Sequence, residues 1–444
     1  MREITIIGGG LAGAEAAWQI ARRCGRARLF EMKPEKFSAA HKSESLAELV
    51  CSNSFKSVSL ENASGVLKQE MKMLGSVVIE SAENFRVPAG EALAVDREKF
   101  SGYLTERLAS LEGLEVVRKE VSELPASGIV VIATGPLTSE ALENEIGRLT
   151  GRERLYFYDA IAPVVFAGSI DMKTAFKKSR YDKGGDDYIN CPMNTFEYER
   201  FYEELIRAGT APLREFEKPI FFEGCLPIEE MARRGKETVC YGPMKPVGLI
   251  DPRTSMEPFA VVQLRQENIS AELYGMVGFQ TRLRYPEQER VFRLIPGLEK
   301  AEFAKLGSMH RNTYINSPEL LAADLSLCAN PDILFAGQVT GVEGYMESAA
   351  MGMAAGIFAL LKSVEKPALT FPEQSVIGSL IKYVSTKPAG GFAPMSANFG
   401  LLPRLGVRHP KKDRKKLLSG RALESMQEFS RLLESTLPWH YPGA

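Results

Sequence analysis

The sequence predicts a doubly wound α/β fold interrupted by an inserted α+β domain, and three stretches carry that prediction. An apolar strand runs into a glycine turn and a helix at ITIIGGGLAGAEAA, residues 4–17. A β-branched run ends in glycine at GIVVIATG, residues 128–135, and a strand, glycine turn and small-residue helix return at ILFAGQVTGVEGYMESAAMGMAAGIFALL, residues 333–361. Each reads as part of one parallel sheet, whose strands are short apolar runs because helices cover both faces.

The first unit carries Gly8-x-Gly10-x-x-Gly13. In this Rossmann-type pattern Gly8 makes the tight turn, Gly10 lets the backbone approach a pyrophosphate, and Gly13 lets helix and strand pack closely. Gly9, Leu11 and Ala12 complete the loop and the helix N-terminus, whose unpaired N–H groups favour an anion. The second strand, ARLFE, ends in Glu31, near the spacing of about 20 residues at which an acid meets a ribose hydroxyl. A dinucleotide site is the expected consequence.

Next comes a polar, serine-rich stretch, His41 to Ser64, then a helical pattern through Leu67, Met71 and Leu74, and a second helix over Val95 to Leu111. The run at 128–135 reads as a buried parallel strand turning near the cofactor at Gly135. From about Tyr156 to Leu306 aromatics, prolines and strand-like runs such as AVVQL and LYGMVGFQT replace the βα alternation. The expected organisation is therefore 1–155 and 307–444 as two parts of one nucleotide-binding domain, with 156–306 inserted.

The late unit supplies Gly337, Gln338, Gly341 and Tyr345 at its turn. A closing turn of this kind favours FAD over NAD, and no second GxGxxG offers a separate nicotinamide domain, so NAD(P)H is expected to bind only transiently. Gln338 stands where many FAD enzymes carry an acid.

The chain has 444 residues, 45% of them hydrophobic, and a formal charge of −1. That balance gives no global attraction to nucleic acid; a nucleic-acid partner needs a local patch. One candidate is the tail run Lys411, Lys412, Arg414, Lys415 and Lys416, whose residues suit phosphate contacts or, equally, a solvated helix start. Six cysteines contain no CxxC pair, and four histidines form no ligand-spaced cluster, so no metal is expected. No signal peptide or membrane span is read, which points to reduced thiols and a cytoplasmic protein without a membrane partner. Cys51 in LVCSNSFKS and Cys225 in FFEGCLPIEE are the two thiols in polar settings; Cys24 ends a helix, Cys240 falls in a strand-like stretch, Cys191 precedes a proline and Cys328 adjoins Leu and Ala.

Longer motifs now add a resemblance. GGGLAGAEAA at 8–17, FEMKP at 30–34, HKSESLAELVCSNSF at 41–55, FEGCLPIEEMARRG at 222–235, GFQTRLRYPEQERVFRLIPGLE at 278–299, MHRNTYIN at 309–316 and FAGQVTGVEGYMES at 335–348 together span nearly the whole chain. In these the sequence resembles the folate- and flavin-dependent tRNA (uracil-5-)-methyltransferases. A related flavoprotein family that modifies the wobble uridine of tRNA shares the opening fingerprint, IPGLE and the AGQ turn. That family is normally longer, and it is not expected to carry MHRNTYIN or the CSNSF setting.

The resemblance implies methylation of C5 of the T-loop uridine at position 54 of tRNA. Carbon comes from 5,10-methylenetetrahydrofolate and reducing equivalents from reduced FAD, itself regenerated by NAD(P)H. It also implies that Cys51 and Cys225 are catalytic, one adding to uracil C6 and the other removing the C5 proton, with Cys51 favoured as nucleophile. A thiol of ordinary pKa is only slightly ionised near neutrality, so one of the pair is expected beside a positive group such as Lys42, Lys56 or a helix N-terminus. His310 and Tyr345 are candidates to stack near the flavin, Arg284 to hold the folate glutamate, and the tail cations to touch tRNA. No stable protein partner is expected. A flavin–disulfide oxidoreductase and a non-catalytic RNA-binding flavoprotein are the competing readings.

Overall fold

A computed structural model of the chain describes residues 1–151, 155–182, 185–212, 221–388, 390–406 and 408–439. Its central sheet has the spatial order Ser326–Leu327, Asn330–Phe335, Ile129–Ile132, Ile4–Ile7, Ala27–Glu31, Leu114–Arg118. All neighbours are parallel except the short edge hairpin of Ser326–Leu327 on Asn330–Phe335. From Ile4–Ile7 the chain builds outward to Leu114–Arg118, then crosses back to lay Ile129–Ile132 on the opposite side. Strand order thus reverses between Ile4–Ile7 and Ile129–Ile132, the point at which open α/β sheets bind ligands beyond their carboxyl ends. Every residue of both strands is buried, as their unbroken apolar runs require.

Two helices fix that crevice. Leu11–Ala21 and Tyr345–Ser363 pack backbone to backbone: a Cβ at Gly352 would lie 2.0 Å from the Ala12 carbonyl oxygen, and one at Gly356 would lie 2.7 Å from that of Ala16. The small residues of the late helix are therefore a packing requirement. A Cβ at Gly13 would stand 1.8 Å from the Gly8 carbonyl oxygen, so the third glycine of the fingerprint is fixed by closeness of helix and turn.

A second sheet is wholly antiparallel, in the order Phe176–Lys177, Tyr188–Met193, Ala260–Gln266, Leu273–Met276, Val164–Phe166, Phe303–Lys305. It surrounds its own core with Tyr198, Phe201, Phe279 and Phe292. A separate ribbon pairs Leu155–Ala160 antiparallel with Met309–Tyr314. The C-terminal helix, Arg414–Thr436, buries Leu418, Ala422, Met426, Phe429 and Leu433, and Ser419 Oγ donates to the Leu60 carbonyl.

Three elements differ from expectation. The helix expected from Val95 starts at Arg97, because Ala92–Val95 is a strand and the Asp96 side chain caps the helix by accepting from Lys99 N. Cys240 lies in a 3-10 turn, Thr238–Tyr241, held by local bonds such as Cys240 N to Glu237 O at 2.9 Å. The strand expected through LYGMVGFQT stops at Met276, where Gly278 turns with φ +74°.

Candidate functional site

A cleft with about 1070 Å³ of empty space opens at the switch point. Its walls are Ile7 to Ala12, Phe30 to Lys33, Ala133 to Ser139, and Gln338, Tyr345 and Ser348 from the late unit. Gly8, Gly9, Gly10, Leu11, Ala12, Glu31, Gly135, Gln338 and Tyr345 thus meet on one cavity. Gly13 sits behind the wall and sets the helix distance, and Gly337 does the same from the other side: its Cβ would lie 2.8 Å from the Ala12 methyl. Gly341, with φ +86°, has Phe392 against the place of its missing side chain, so it shapes the late turn.

The glycine turn fits a pyrophosphate. No side chain caps the Leu11–Ala21 helix at Gly10, so its first N–H groups face the cavity, and a Cβ at Gly10 would meet no atom within 4 Å. Glu31 is buried with both oxygens engaged, one by Gly9 N at 2.9 Å and the other by Lys33 N at 3.0 Å. It holds the fingerprint loop in shape from the cavity wall. The Gln338 amide donates to Glu343 Oε2 at 2.6 Å.

Tyr345, in the cleft wall, also holds the loop that carries the first thiol. The Tyr345 hydroxyl accepts from Cys51 N at 2.8 Å and from Ser52 N at 3.3 Å. Arg97 donates to the carbonyls of Leu49 at 3.0 Å and Cys51 at 3.4 Å while pairing with Glu267 at 2.7 Å. Arg265 reaches Asn53 Oδ1 at 2.8 Å and Ser52 Oγ at 2.9 Å, and Asn53 Nδ2 donates to Val95 O and Gln266 O. The Cys-Ser-Asn segment is therefore clamped between the strand carrying Arg265 and the helix carrying Arg97, which gives the CSNSF motif its physical reason.

Cys225 arrives from the inserted region on the turn Glu223–Cys225. Phe222 before it packs on Phe157 at 5.9 Å between ring centroids, and Phe221 bridges to Tyr158. These contacts carry Cys225 to the ribbon strand Leu155–Ala160, where its thiol comes under the influence of the Asp159 carboxylate. Cys51 Sγ approaches the next residue, 3.8 Å from the Ala160 carbonyl oxygen. Two thiols far apart in sequence thus converge on Asp159 and Ala160.

Burial raises the pKa of both thiols, and the neighbouring Asp159 carboxylate raises both further. Burial likewise pushes Asp159 up to about 6, and burial together with Asp159 pushes Glu343 up to about 8. The expected cation beside one thiol exists, but it is neither Lys42 nor Lys56. Lys56 Nζ is held by Glu347 at 2.9 Å and Ser396 at 3.2 Å. The cations acting on Cys51 are Arg97 and Lys305, and they only partly offset its burial. Lys305 is itself lowered to about 8, first by burial and then by Arg97 and Lys42.

His310 sits on the ribbon directly across from Asp159. Its Nε2 meets Ser308 Oγ at 3.1 Å, and burial with Lys305 and His41 nearby holds it below the usual imidazole range. Arg284 is placed elsewhere: it caps the Tyr285–Phe292 helix and donates to the Thr210 carbonyl on an exposed edge. Lys411, Lys412, Arg414, Lys415 and Lys416 are exposed around the start of the C-terminal helix. Asp159, Arg97, Lys305 and Glu343 were missed by sequence reasoning; none stands in a spacing that announces chemistry. Among the described residues no cluster of metal-ligating side chains occurs, and no helix is long and apolar enough to cross a membrane.

Parallel sheet, glycine turn and late closing unit define a Rossmann-type dinucleotide-binding protein, with two thiols brought together at one ribbon strand. A family model described as glucose inhibited division protein A matches residues 3–367. A protein of Geobacter sulfurreducens named methylenetetrahydrofolate–tRNA-(uracil-5-)-methyltransferase TrmFO is 56% identical over 428 residues, covering 96% of this chain and 98% of its own. One of the same name from Heliobacterium modesticaldum is 54% identical over 427 residues, covering 96% and 97%. This chain belongs to that family, the methylenetetrahydrofolate–tRNA-(uracil-5-)-methyltransferases within the glucose inhibited division protein A group. In fold it is similar to Aquifex aeolicus GidA, with TM-score 0.72 at 17% identity over 97% of this chain and 73% of that longer one.

Proposed function

We propose that this enzyme methylates C5 of the T-loop uridine at position 54 of tRNA, with 5,10-methylenetetrahydrofolate as carbon donor and NAD(P)H as the source of reducing equivalents through FAD. The observation that carries this reading is the convergence of Cys51 and Cys225 beside Asp159, with the Cys51 loop tied by Tyr345 to the cleft wall. The relatives, matched over nearly their full lengths, bear a folate-dependent tRNA uracil methyltransferase name, which supports the substrate classes.

Uracil C5 is a weak carbon nucleophile. The Cys51 thiolate adds to C6 and makes the ring an enolate that attacks the folate methylene; the Cys225 thiolate then removes the C5 proton. Tetrahydrofolate leaves with the electron pair of its N–CH2 bond, and Cys51 leaves C6 once hydride has reached the exocyclic methylene. Reduced FAD, when bound, supplies the hydride that completes the methyl group. Burial suits this order, because a site closed to water keeps both thiols protonated until substrate fills it. The uridine leaves its stack to reach them, at a cost of a few kcal/mol that contacts to the base and backbone offset.

Division of the chain at 155/156 and 306/307 is part of the proposal, supported by the antiparallel sheet drawing its strands from residues between those points. His310 and Tyr345 are assigned to the substrate and flavin side, and the exposed tail cations to tRNA phosphates. Arg284, lying against Thr210 on an exposed edge, is assigned to the folate glutamate.

The test supplies purified protein with unmodified tRNA transcript, NAD(P)H and methylenetetrahydrofolate labelled at its methylene carbon, with S-adenosylmethionine as a parallel donor. Label in 5-methyluridine from folate alone is the expected result. A yellow, reducible protein that transfers no label to intact tRNA sinks the reading and puts wobble-uridine modification in its place.

A further inference from the structure

The site has two thiols to ionise and an obvious question: where their protons go. Asp159 is an acidic side chain that acts on both of them. Its ribbon strand brings it to them: Phe221 bridges to Tyr158, Phe222, three residues before Cys225, packs on Phe157, and Cys51 Sγ lies 3.8 Å from the adjoining Ala160 carbonyl. The Ala160 backbone and Asn312 stand close enough to favour its charged form. Its Oδ1 atom is buried with no hydrogen-bond partner among the described residues. A carboxylate kept for structure alone is normally saturated by donors, since an unsatisfied buried oxygen costs stability.

The neighbouring groups do not take its place. His310 stands across the ribbon but shares its Nε2 with Ser308. Glu343 accepts from Gln338. Arg97 and Lys305 act on Cys51 and are fixed by Glu267 and by the carbonyls of Leu49 and Val50.

Resting on the functional reading above, we propose that Asp159 is the proton acceptor for Cys225, taking the thiol proton as the thiolate forms and holding it through the methyl-transfer step. The Cys225 S–H bond breaks, an O–H bond forms on Asp159, and the electron pair stays on sulfur. No oxidant or reductant takes part. While Asp159 is ionised its charge opposes a free thiolate beside it; once it holds the proton that opposition disappears. The same residue therefore keeps the thiol quiet at rest and ionises it in use.

The measurement is alkylation of Cys225 by iodoacetamide, mapped by peptide mass across about pH 6 to 10, in flavin-loaded wild type and Asp159→Asn, since only the thiolate reacts. Asparagine keeps the shape and removes both the charge and the proton acceptor. The expected result is a split: Cys225 alkylates at least about tenfold faster at neutral pH, its midpoint having fallen by about a unit or more, while methyl transfer drops by about 100-fold or more. A carboxylate that only opposes the thiolate predicts the midpoint shift without the loss of turnover, so turnover within about twofold of wild type, or an unchanged midpoint, overturns the proposal. If the asparagine variant fails to fold, Asp159→Glu takes its place, with a wild-type midpoint and partly restored turnover expected; an inactive glutamate variant of normal thermal stability and flavin content overturns the proposal. Because alkylation needs neither tRNA nor folate, a wild type that alkylates as described but never methylates would condemn the functional reading and leave the Asp159–Cys225 coupling standing.

Discussion

The Tyr345 hydroxyl accepts a hydrogen bond from the Cys51 backbone N–H at 2.8 Å, joining the first residue of the late helix to the loop that carries one thiol. Tyr345 also lines the cleft, so cofactor cavity and thiol share one side chain. Tyr345→Phe leaves two backbone N–H groups without this acceptor, a loss of about 1–3 kcal/mol. Chemical denaturation is expected to show that loss, and mass-mapped alkylation to show Cys51 reacting several-fold faster as its loop loosens. Unchanged Cys51 reactivity would mean that Arg97, Arg265 and Asn53 hold the loop without it.

Two glycines of the fingerprint make opposite predictions. Gly13→Ala forces a methyl to 1.8 Å from the Gly8 carbonyl oxygen, and about 1–3 kcal/mol of stability is expected to go with it. Gly10→Ala meets no protein atom within 4 Å and has an ordinary φ of −74°, so its thermal melt without flavin is expected to match wild type. Its methyl fills the space kept for the pyrophosphate, and FAD titration should show weakening by at least about tenfold. Equal FAD affinity in Gly10→Ala would place the pyrophosphate elsewhere.

The order of the cysteines is open to trapping. RNA carrying 5-fluorouridine cannot lose a proton at C5, so the nucleophile stays bonded to C6. The adduct is expected to disappear in Cys51→Ala and persist in Cys225→Ala, each variant losing methyl transfer by about 100-fold or more. The reverse pattern on a denaturing gel would exchange the two roles.

Lys68 gives a pH prediction away from the cleft. Burial lowers its pKa from 10.5 to about 8, and its Nζ donates to the carbonyls of Ser57 and Ser64. Between these two values the unfolded chain binds the proton that the folded chain has released, so this residue makes stability rise with pH across that window. Lys68→Met should flatten that rise by up to about 1.4 kcal/mol per pH unit. Denaturation curves at pH 8 and 10 that run parallel for the two proteins would show that Lys68 stays charged when folded.

Much of the nucleotide-binding half was legible because its glycines answer to backbone distances that recur with the fold. The strands at Ile4–Ile7, Ala27–Glu31, Ile129–Ile132 and Asn330–Phe335 all lie in expected runs. The thiols were legible only through the long motifs around them, since spacing says nothing about residues that meet by tertiary packing. Asp159 was illegible for the same reason: its place depends on Phe221 and Phe222 folding back onto its own strand. Lys42 and Lys56 were reasonable neighbours of Cys51 by sequence. The groups that reach it, Arg97 and Lys305, come from a separate helix and a separate sheet.

The ribbon of Leu155–Ala160 and Met309–Tyr314 also has a modular meaning. Ala160 pairs directly with Met309, so the segment between them leaves and re-enters at one doorway. Paired residues on antiparallel strands are about 5 Å apart, a gap that a two-residue hairpin can close. Replacing 161–308 by such a hairpin would cut the chain at only one pair of neighbouring ends, yet it would also remove Arg265, Gln266, Glu267 and Lys305, which reach back to Ser52, Asn53, Arg97 and Val50. One narrow doorway of covalent chain thus contrasts with a broad seam of polar contacts, and it is the seam that shapes the Cys51 loop.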